Sequence, residues 1–233
     1  MFIAALQKTT LLDYPGRLAC IVFLANCNFK CPFCYSKEIV LEEEIKNILP
    51  LKEGDFFDFL KKRKGKLEAV VICGGEPTIN PTLLSFCQEI KSLGYKVKLD
   101  TNGSNPVMVK KLLKENLIDY VAIDLKTSKE KYQKLTGSLI KNVAEKVNQT
   151  LSLLKESKID WEVRTTCVPG FIDKEDILKI AQWAKGAPKY YLQNFRPQKT
   201  LDPAFEKVKP YSSQEMEEMR QIASPFFMSC DVR

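Results

Sequence analysis

Six short runs of β-branched and apolar residues, at 18–24, 67–73, 95–100, 120–126, 161–167 and 190–195, alternate with longer stretches of helical periodicity at 54–64, 81–93, 106–116, 141–155 and 174–185. Parallel neighbours in a sheet need a crossover, and the crossover is normally a helix, so strict alternation predicts parallel βαβ units. The expected fold class is α/β, an open sheet or an incomplete, TIM-like barrel of six βα units. At 233 residues, with 45% hydrophobic and 28% charged residues, the chain has enough apolar material for one large core. We expect the barrel domain to occupy 1–196 and a C-terminal extension, 197–233, to pack on that same domain. Within the extension Ser212 and Glu215 form a capping-box pattern that announces a last helix.

The chain contains no histidine, which excludes imidazole bases, imidazole metal ligands and any Ser-His-Asp triad. Lys and Arg total 36 against 29 Asp and Glu, a net charge of +7 spread along the chain, and this predicts no nucleic-acid partner. The basic run at 61–66 reads as cations at a helix C-terminus followed by Gly65 as a left-handed cap. The first residues form no basic-then-apolar leader, and the apolar run 18–25 is too short to span a bilayer. A cytoplasmic protein without a membrane partner is the expectation, and clustered cysteines in a reducing compartment are metal ligands or reactive thiols.

Cys27, Cys31 and Cys34 make such a cluster, C-x3-C-x2-C, directly after the first predicted strand. Three thiolates on one tight loop hold three irons of a four-iron cluster and leave the fourth open. Zinc would need a fourth ligand, and there is neither a second C-x-x-C nor a histidine. Cys20, Cys73, Cys87, Cys167 and Cys230 have no mutual spacing and read as core residues.

The spacing of Cys27, Cys31, Phe33 and Cys34 resembles the signature of the radical S-adenosylmethionine superfamily, and Cys73-Gly74-Gly75-Glu76-Pro77 resembles its G-G-E-P turn. Segments at 11–16, 98–103, 119–126 and 164–166 are similar to those of glycyl-radical-enzyme activases. The nearest of these is the family labelled anaerobic ribonucleoside-triphosphate reductase activating protein, and the likeness runs from about 6 to 210. The resemblance implies a partial (βα)6 barrel of the radical SAM type with one [4Fe-4S] cluster on the three cysteines and S-adenosylmethionine chelating the open iron. It also implies that Gly74 and Gly75 let backbone approach the cofactor ammonium while Glu76 fixes the turn. Lys126 and Arg164 would pair with the cofactor carboxylate, Phe33 and Tyr35 would flank the adenine, and Asn102 and Gln193 would line the same pocket. In related activases Asp100, Thr101 and Asp124 would form a monovalent-cation site.

Side-chain parity agrees with such a pocket. Val97 and Leu99 oppose Lys98 and Asp100; Val121, Ile123 and Leu125 oppose Asp124 and Lys126; Trp161, Val163 and Cys167 oppose Glu162, Arg164 and Thr166. For Lys98 and Glu162 the alternative is a polar layer of internal salt bridges. The implied reaction takes one electron from a flavodoxin or ferredoxin, cleaves S-adenosylmethionine to methionine and a 5′-deoxyadenosyl radical, and moves a hydrogen atom from a glycine of a partner glycyl-radical enzyme. Asp13, in the D-Y-P-G turn, would stand near the entering glycine loop. Departures from the family pattern are Cys73, where many relatives carry Ser or Thr, and Tyr35, where activases often carry His. Two other readings stand beside the activase: a radical enzyme acting on a small molecule, in the manner of deazaguanine-forming synthases, and an iron-sulfur electron-transfer module.

Overall fold

The computed structural model describes all 233 residues. Eight strands, β1 (Ile3–Thr10), β2 (Ala19–Leu24), β3 (Ala69–Gly74), β4 (Lys96–Thr101), β5 (Tyr120–Asp124), β6 (Asp160–Cys167), β7 (Lys189–Asn194) and β8 (Ser229–Val232), form one sheet in sequence order. β1 is antiparallel to β2, and every other neighbouring pair is parallel. The helices are α1 (Lys37–Val40), α2 (Glu42–Ile45), α3 (Glu53–Lys62), α4 (Leu83–Ser92), α5 (Pro106–Lys114), α6 (Tyr132–Thr136), α7 (Val143–Glu156), α8 (Lys174–Ala184) and α9 (Ser213–Ala223). Gly65 takes φ +76° after α3, and Ser212 and Glu215 close the predicted capping box on α9.

The six expected strands are the parallel core, so the six-stranded expectation is corrected by one strand at each edge. β1 is mostly solvent-facing and carries Gln7, Lys8, Thr9 and Thr10, so it lacks an apolar alternation to find. β8 has only four residues, too few for a periodic signal, and it draws the C-terminal extension into the sheet beside β7.

The sheet has two apolar faces. Cys20, Val22, Val70, Ile72, Val97, Leu99, Val121 and Val163 belong to the large core beneath the helices. Tyr14, Ala19, Ile21, Ala69, Val71 and Tyr120 form a separate, smaller cluster on the opposite, concave face. Because β1 and β8 do not pair, the barrel stays open along one side.

Below the strands, Asp119 accepts hydrogen bonds from Lys91 Nζ at 2.7 Å, Lys96 Nζ at 2.8 Å and the Val97 N–H at 2.8 Å, tying α4, β4 and β5 together. Burial pushes this carboxyl up, but the two lysines and the amide outweigh it and hold the pKa below the usual range. Asp119→Ala should therefore lower stability at neutral pH by about 1–2 kcal/mol, allowing for partial solvent screening. The sign follows from the depressed folded pKa: the contribution is complete above the unfolded value of about 4 and disappears as pH falls through the folded one. Urea titrations at neutral and acidic pH would test this, and a deficit that persists undiminished in acid would refute it.

Candidate active site

A cavity of about 420 Å³ opens at the C-terminal end of the parallel strands, where barrel enzymes build their sites. Its lining includes Cys27, Cys31, Phe33, Cys34 and Tyr35 from the loop after β2, Gly74 and Gly75 at the end of β3, Asp100, Thr101 and Asn102 at the end of β4, and Asp124 and Lys126 at the end of β5. Arg164 of β6, Gln193 of β7 and Asp13 of the turn between β1 and β2 complete the set named from sequence. Residues 180 positions apart in sequence, Asp13 and Gln193, thus face one space. Glu76 does not line it.

The cysteine loop is anchored by backbone hydrogen bonds from several directions. Asn26 donates to Ile39 at 2.8 Å and Lys30 to Thr136 at 2.7 Å, while Leu201 and Asp202 donate to Cys34 and Pro32 at 2.9 Å each. Gly75 donates to Leu24 at 2.9 Å and Glu76 to Asn26 at 2.8 Å, so the turn after β3 is stitched to the start of the loop. Asn28 accepts from Asn102 Nδ2 and donates to Ser104 Oγ, both at 2.8 Å, which fastens the loop to β4.

This geometry adds a second reason for the glycines. A Cβ on Gly75 would lie 2.0 Å from the Asn26 carbonyl oxygen, and one on Gly74, at φ +118°, would lie 2.3 Å from that of Leu24. The turn abuts the backbone of β2 and the cysteine loop, which demands glycine at both positions before any ligand is considered. Glu76 is the buried clasp of the turn: its carboxylate accepts from Thr78 N at 3.0 Å, Thr101 Oγ1 at 2.6 Å and Asn102 N at 2.6 Å.

On the facing wall, Arg164 donates from Nε to Asp124 at 2.7 Å and from Nη1 to Asp100 at 2.8 Å. Lys126 pairs with the other oxygen of Asp124 at 3.0 Å, and Lys98 pairs with the other oxygen of Asp100. Burial pushes Asp124 and Asp100 up, but the guanidinium and the lysines prevail and hold both below the ordinary carboxylate range. Every carboxylate oxygen here faces a cation, and Thr101 Oγ1 turns away to Glu76. The carboxylates expected at a monovalent-cation site are thus engaged in an ion-pair network. Three cations against two carboxylates leave one positive charge uncompensated, which suits an anionic ligand.

Lys98 thus belongs to an internal ion-pair layer. Glu162 lies deeper still, fully buried, and is held by Tyr120 Oη at 2.7 Å and Arg233 Nη1 at 3.2 Å. Asp13 is fixed by the Thr10 hydroxyl.

Burial pushes the Cys27 and Cys31 thiols up to about 12 and Cys34 upward as well, while Lys126 pulls all three down. One buried and two half-buried thiols beside one lysine, with no imidazole in the chain, are a donor set that fits a cluster with three thiolate-bound irons. Cys73 departs from its expected place in the core: its side chain borders the cavity, and burial, then Asp100, push its thiol to about 12. Thr166, grouped by parity with Arg164, lines the cavity; sequence reasoning missed Gln7, Phe23 and Ser36 in the lining, as it missed Asn28 in the anchoring. Phe23 shares parity with Ile21, which could have placed it; Gln7 needed β1, and Asn28 had no signal.

The radical SAM superfamily profile matches residues 21–184, from within β2 to the end of α8, and the chain belongs to that superfamily. It is 34% identical over 238 residues to a Methanocaldococcus jannaschii protein named "putative glycyl-radical enzyme activating enzyme", covering 99% of this chain and 95% of that one. A second protein of the same name from that organism is 29% identical over 76% of this chain and 62% of its own length. Among solved structures, Streptococcus suis SuiB bound to precursor peptide SuiA superposes with a TM-score of 0.69 at 15% identity over 91% of this chain. The chain spans 48% of SuiB, and the likeness is one of fold.

Proposed function

We propose that this chain is a glycyl-radical-enzyme activase, whose substrate is a glycine of a partner protein. The observation that carries the reading is the end-to-end similarity to an activating enzyme, 99% of this chain on 95% of that relative. The open side of the barrel adds to it, because a protein substrate can supply the wall that the chain lacks.

Cys27, Cys31 and Cys34 would hold three irons, and the uncompensated charge of Lys126 and Arg164 would receive the cofactor carboxylate. Bound there, a [4Fe-4S] cluster and S-adenosylmethionine supply a carbon-centred radical by one-electron cleavage of the sulfonium. Phe33 and Tyr35 would wall the adenine, and Asn102 and Gln193 would give it polar contacts. Glu76 would keep the turn and the cysteine loop in register, and Asp13, pinned by Thr10, would orient the incoming glycine segment. No side chain has to shuttle a proton, which fits a chain without histidine.

The first test is anaerobic reconstitution with iron and sulfide, followed by reduction, addition of S-adenosylmethionine and quantification of methionine and 5′-deoxyadenosine. Cleavage should be abolished in Cys31→Ala, and mixing with glycyl-radical proteins should yield a glycyl-radical EPR signal in one of them. Cleavage that transfers hydrogen from no such protein but only from a small molecule would overturn the activase reading. Lys126→Gln should weaken S-adenosylmethionine binding by about 10–100-fold, the worth of one charge-assisted hydrogen bond. Equilibrium dialysis on the reconstituted protein measures this, and unchanged binding would remove Lys126 from the carboxylate site.

A further inference from the structure

The cysteine loop has a second face. Cys27, Cys31, Phe33 and Cys34 line the cavity, whereas Lys30, between the first two ligands, is exposed and does not. Against Lys30 lies the turn that follows α6. Its Thr136 carbonyl accepts the Lys30 N–H at 2.7 Å, and Phe29 meets Tyr132 of α6 edge-on with ring centroids 6.2 Å apart. Gly137 ends α6 at φ +57°, and a Cβ there would stand 3.3 Å from both Lys30 Cβ and the Lys30 carbonyl oxygen. The glycine lets this turn rest directly on the loop that carries the cluster ligands.

The turn is held in shape. Gln133 donates to the Ser138 carbonyl, and the Ile140 N–H donates to Ser138 Oγ at 3.2 Å, so Ser138 is buried. Leu139 is nonetheless 97% exposed. Leu139 is a single apolar contact point held out by an ordered turn, and what distinguishes it is the charge and the cysteine loop beside it. The surroundings are cationic: positions 128–142 contain four lysines and one glutamate. Lys131 is paired with Asp176, Lys30 donates to the Val40 carbonyl, and Lys134 and Lys141 are exposed with no carboxylate partner.

We infer that Lys30 and the 134–141 turn are the docking surface for an acidic electron-transfer protein that reduces the cluster. The inference rests on the reading that the three cysteines carry that cluster. Charge complementarity selects the occupant, because an exposed leucine in a turn bounded by Lys134 and Lys141, neither of which has a carboxylate partner, with Lys30 beside it, fits carboxylates around an apolar contact. Position gives it the task. Lys30 is exposed, does not line the cavity and directly precedes Cys31, so an electron arriving here has a short covalent route to a ligand. The electron leaves the reduced donor singly and enters the oxidised cluster, with no proton or bond change in the docking residues.

The test uses the reconstituted protein, a triple charge-reversal variant (Lys30→Glu, Lys134→Glu, Lys141→Glu), a Leu139→Ala variant and a triple Lys→Arg control. Cluster reduction is followed by stopped-flow absorbance with reduced acidic flavodoxin and, separately, with dithionite, from about 20 to about 300 mM salt. Flavodoxin-driven reduction of the wild type should slow as salt rises; charge reversal should slow it about tenfold or more at low salt and flatten the salt dependence. The arginine control should keep the wild-type rate, Leu139→Ala should slow flavodoxin alone, and dithionite should reduce every variant equally. Equal slowing with both donors, or wild-type flavodoxin rates after charge reversal, would overturn the proposal. A wild type that takes up no cluster would instead count against the cluster reading. Docking is then decided by calorimetry of oxidised flavodoxin with the iron-free chain, where about tenfold weaker binding on charge reversal is expected and unchanged affinity overturns it.

Discussion

Gly75→Ala is expected to yield a chain that has lost more than about 4 kcal/mol of stability, a large share of the margin of a typical domain. The added methyl would lie 2.0 Å from the Asn26 carbonyl oxygen and 2.6 Å from its carbonyl carbon. Those atoms are backbone, so no rotamer change relieves the clash. Ordinary overpacking in a core costs about 1–3 kcal/mol because side chains yield. Here the strand end or the cysteine loop must move, breaking the Gly75–Leu24 and Glu76–Asn26 hydrogen bonds that join them. Urea denaturation of the iron-free protein measures the loss without involving the cofactor. Stability within about 1 kcal/mol of wild type would show that the stitched turn is not the constraint described.

Arg164→Met carries the second large effect, a loss of about 3 kcal/mol at neutral pH, because it strips a guanidinium from two buried carboxylates. Asp100 and Asp124 keep Lys98 and Lys126, which places the expected cost at the low end for a broken buried pair. The pH dependence is distinctive. In the wild type both carboxyls are held low, so their stabilisation is complete above the unfolded value of about 3.9 and vanishes as pH falls through the folded values. Without Arg164 the same burial pushes them up. The difference between variant and wild type should therefore be widest near pH 7 and shrink below about pH 4. Denaturant midpoints across that range decide the matter, and a gap that does not change with pH would contradict the network.

Much of this site was legible because period two survives in a parallel strand. Asp100, Asp124 and Arg164 each stand opposite in parity to Leu99, Ile123 and Val163, and the fold sets all three on the concave face. The cysteine spacing marked the loop for the same reason of local geometry. What could not be read is what depends on pairing between distant backbones. Nothing in C-G-G-E-P says that the glycines meet Leu24 and Asn26. Equally, nothing in the Asp-Thr pair of β4 says that its carboxylate is taken by Lys98 and Arg164 while its hydroxyl turns to Glu76. β1 and β8 escaped detection because one is polar and the other short, and their strand character comes from a neighbour's hydrogen bonds.

The many backbone anchors of the cysteine loop bear on the protein's life in the presence of oxygen. In a zinc finger the metal is the fold, and losing it melts the domain. Here the path from Asn26 to Pro32 is dictated by bonds to Glu76, Ile39, Thr136 and Asp202, none of which involves a thiol. If the loop carries the proposed cluster, oxidative loss of iron should empty the loop without unravelling it. An iron-free chain would then be an intact scaffold for reassembly, so that recovery from air exposure would call for iron and sulfide rather than new protein.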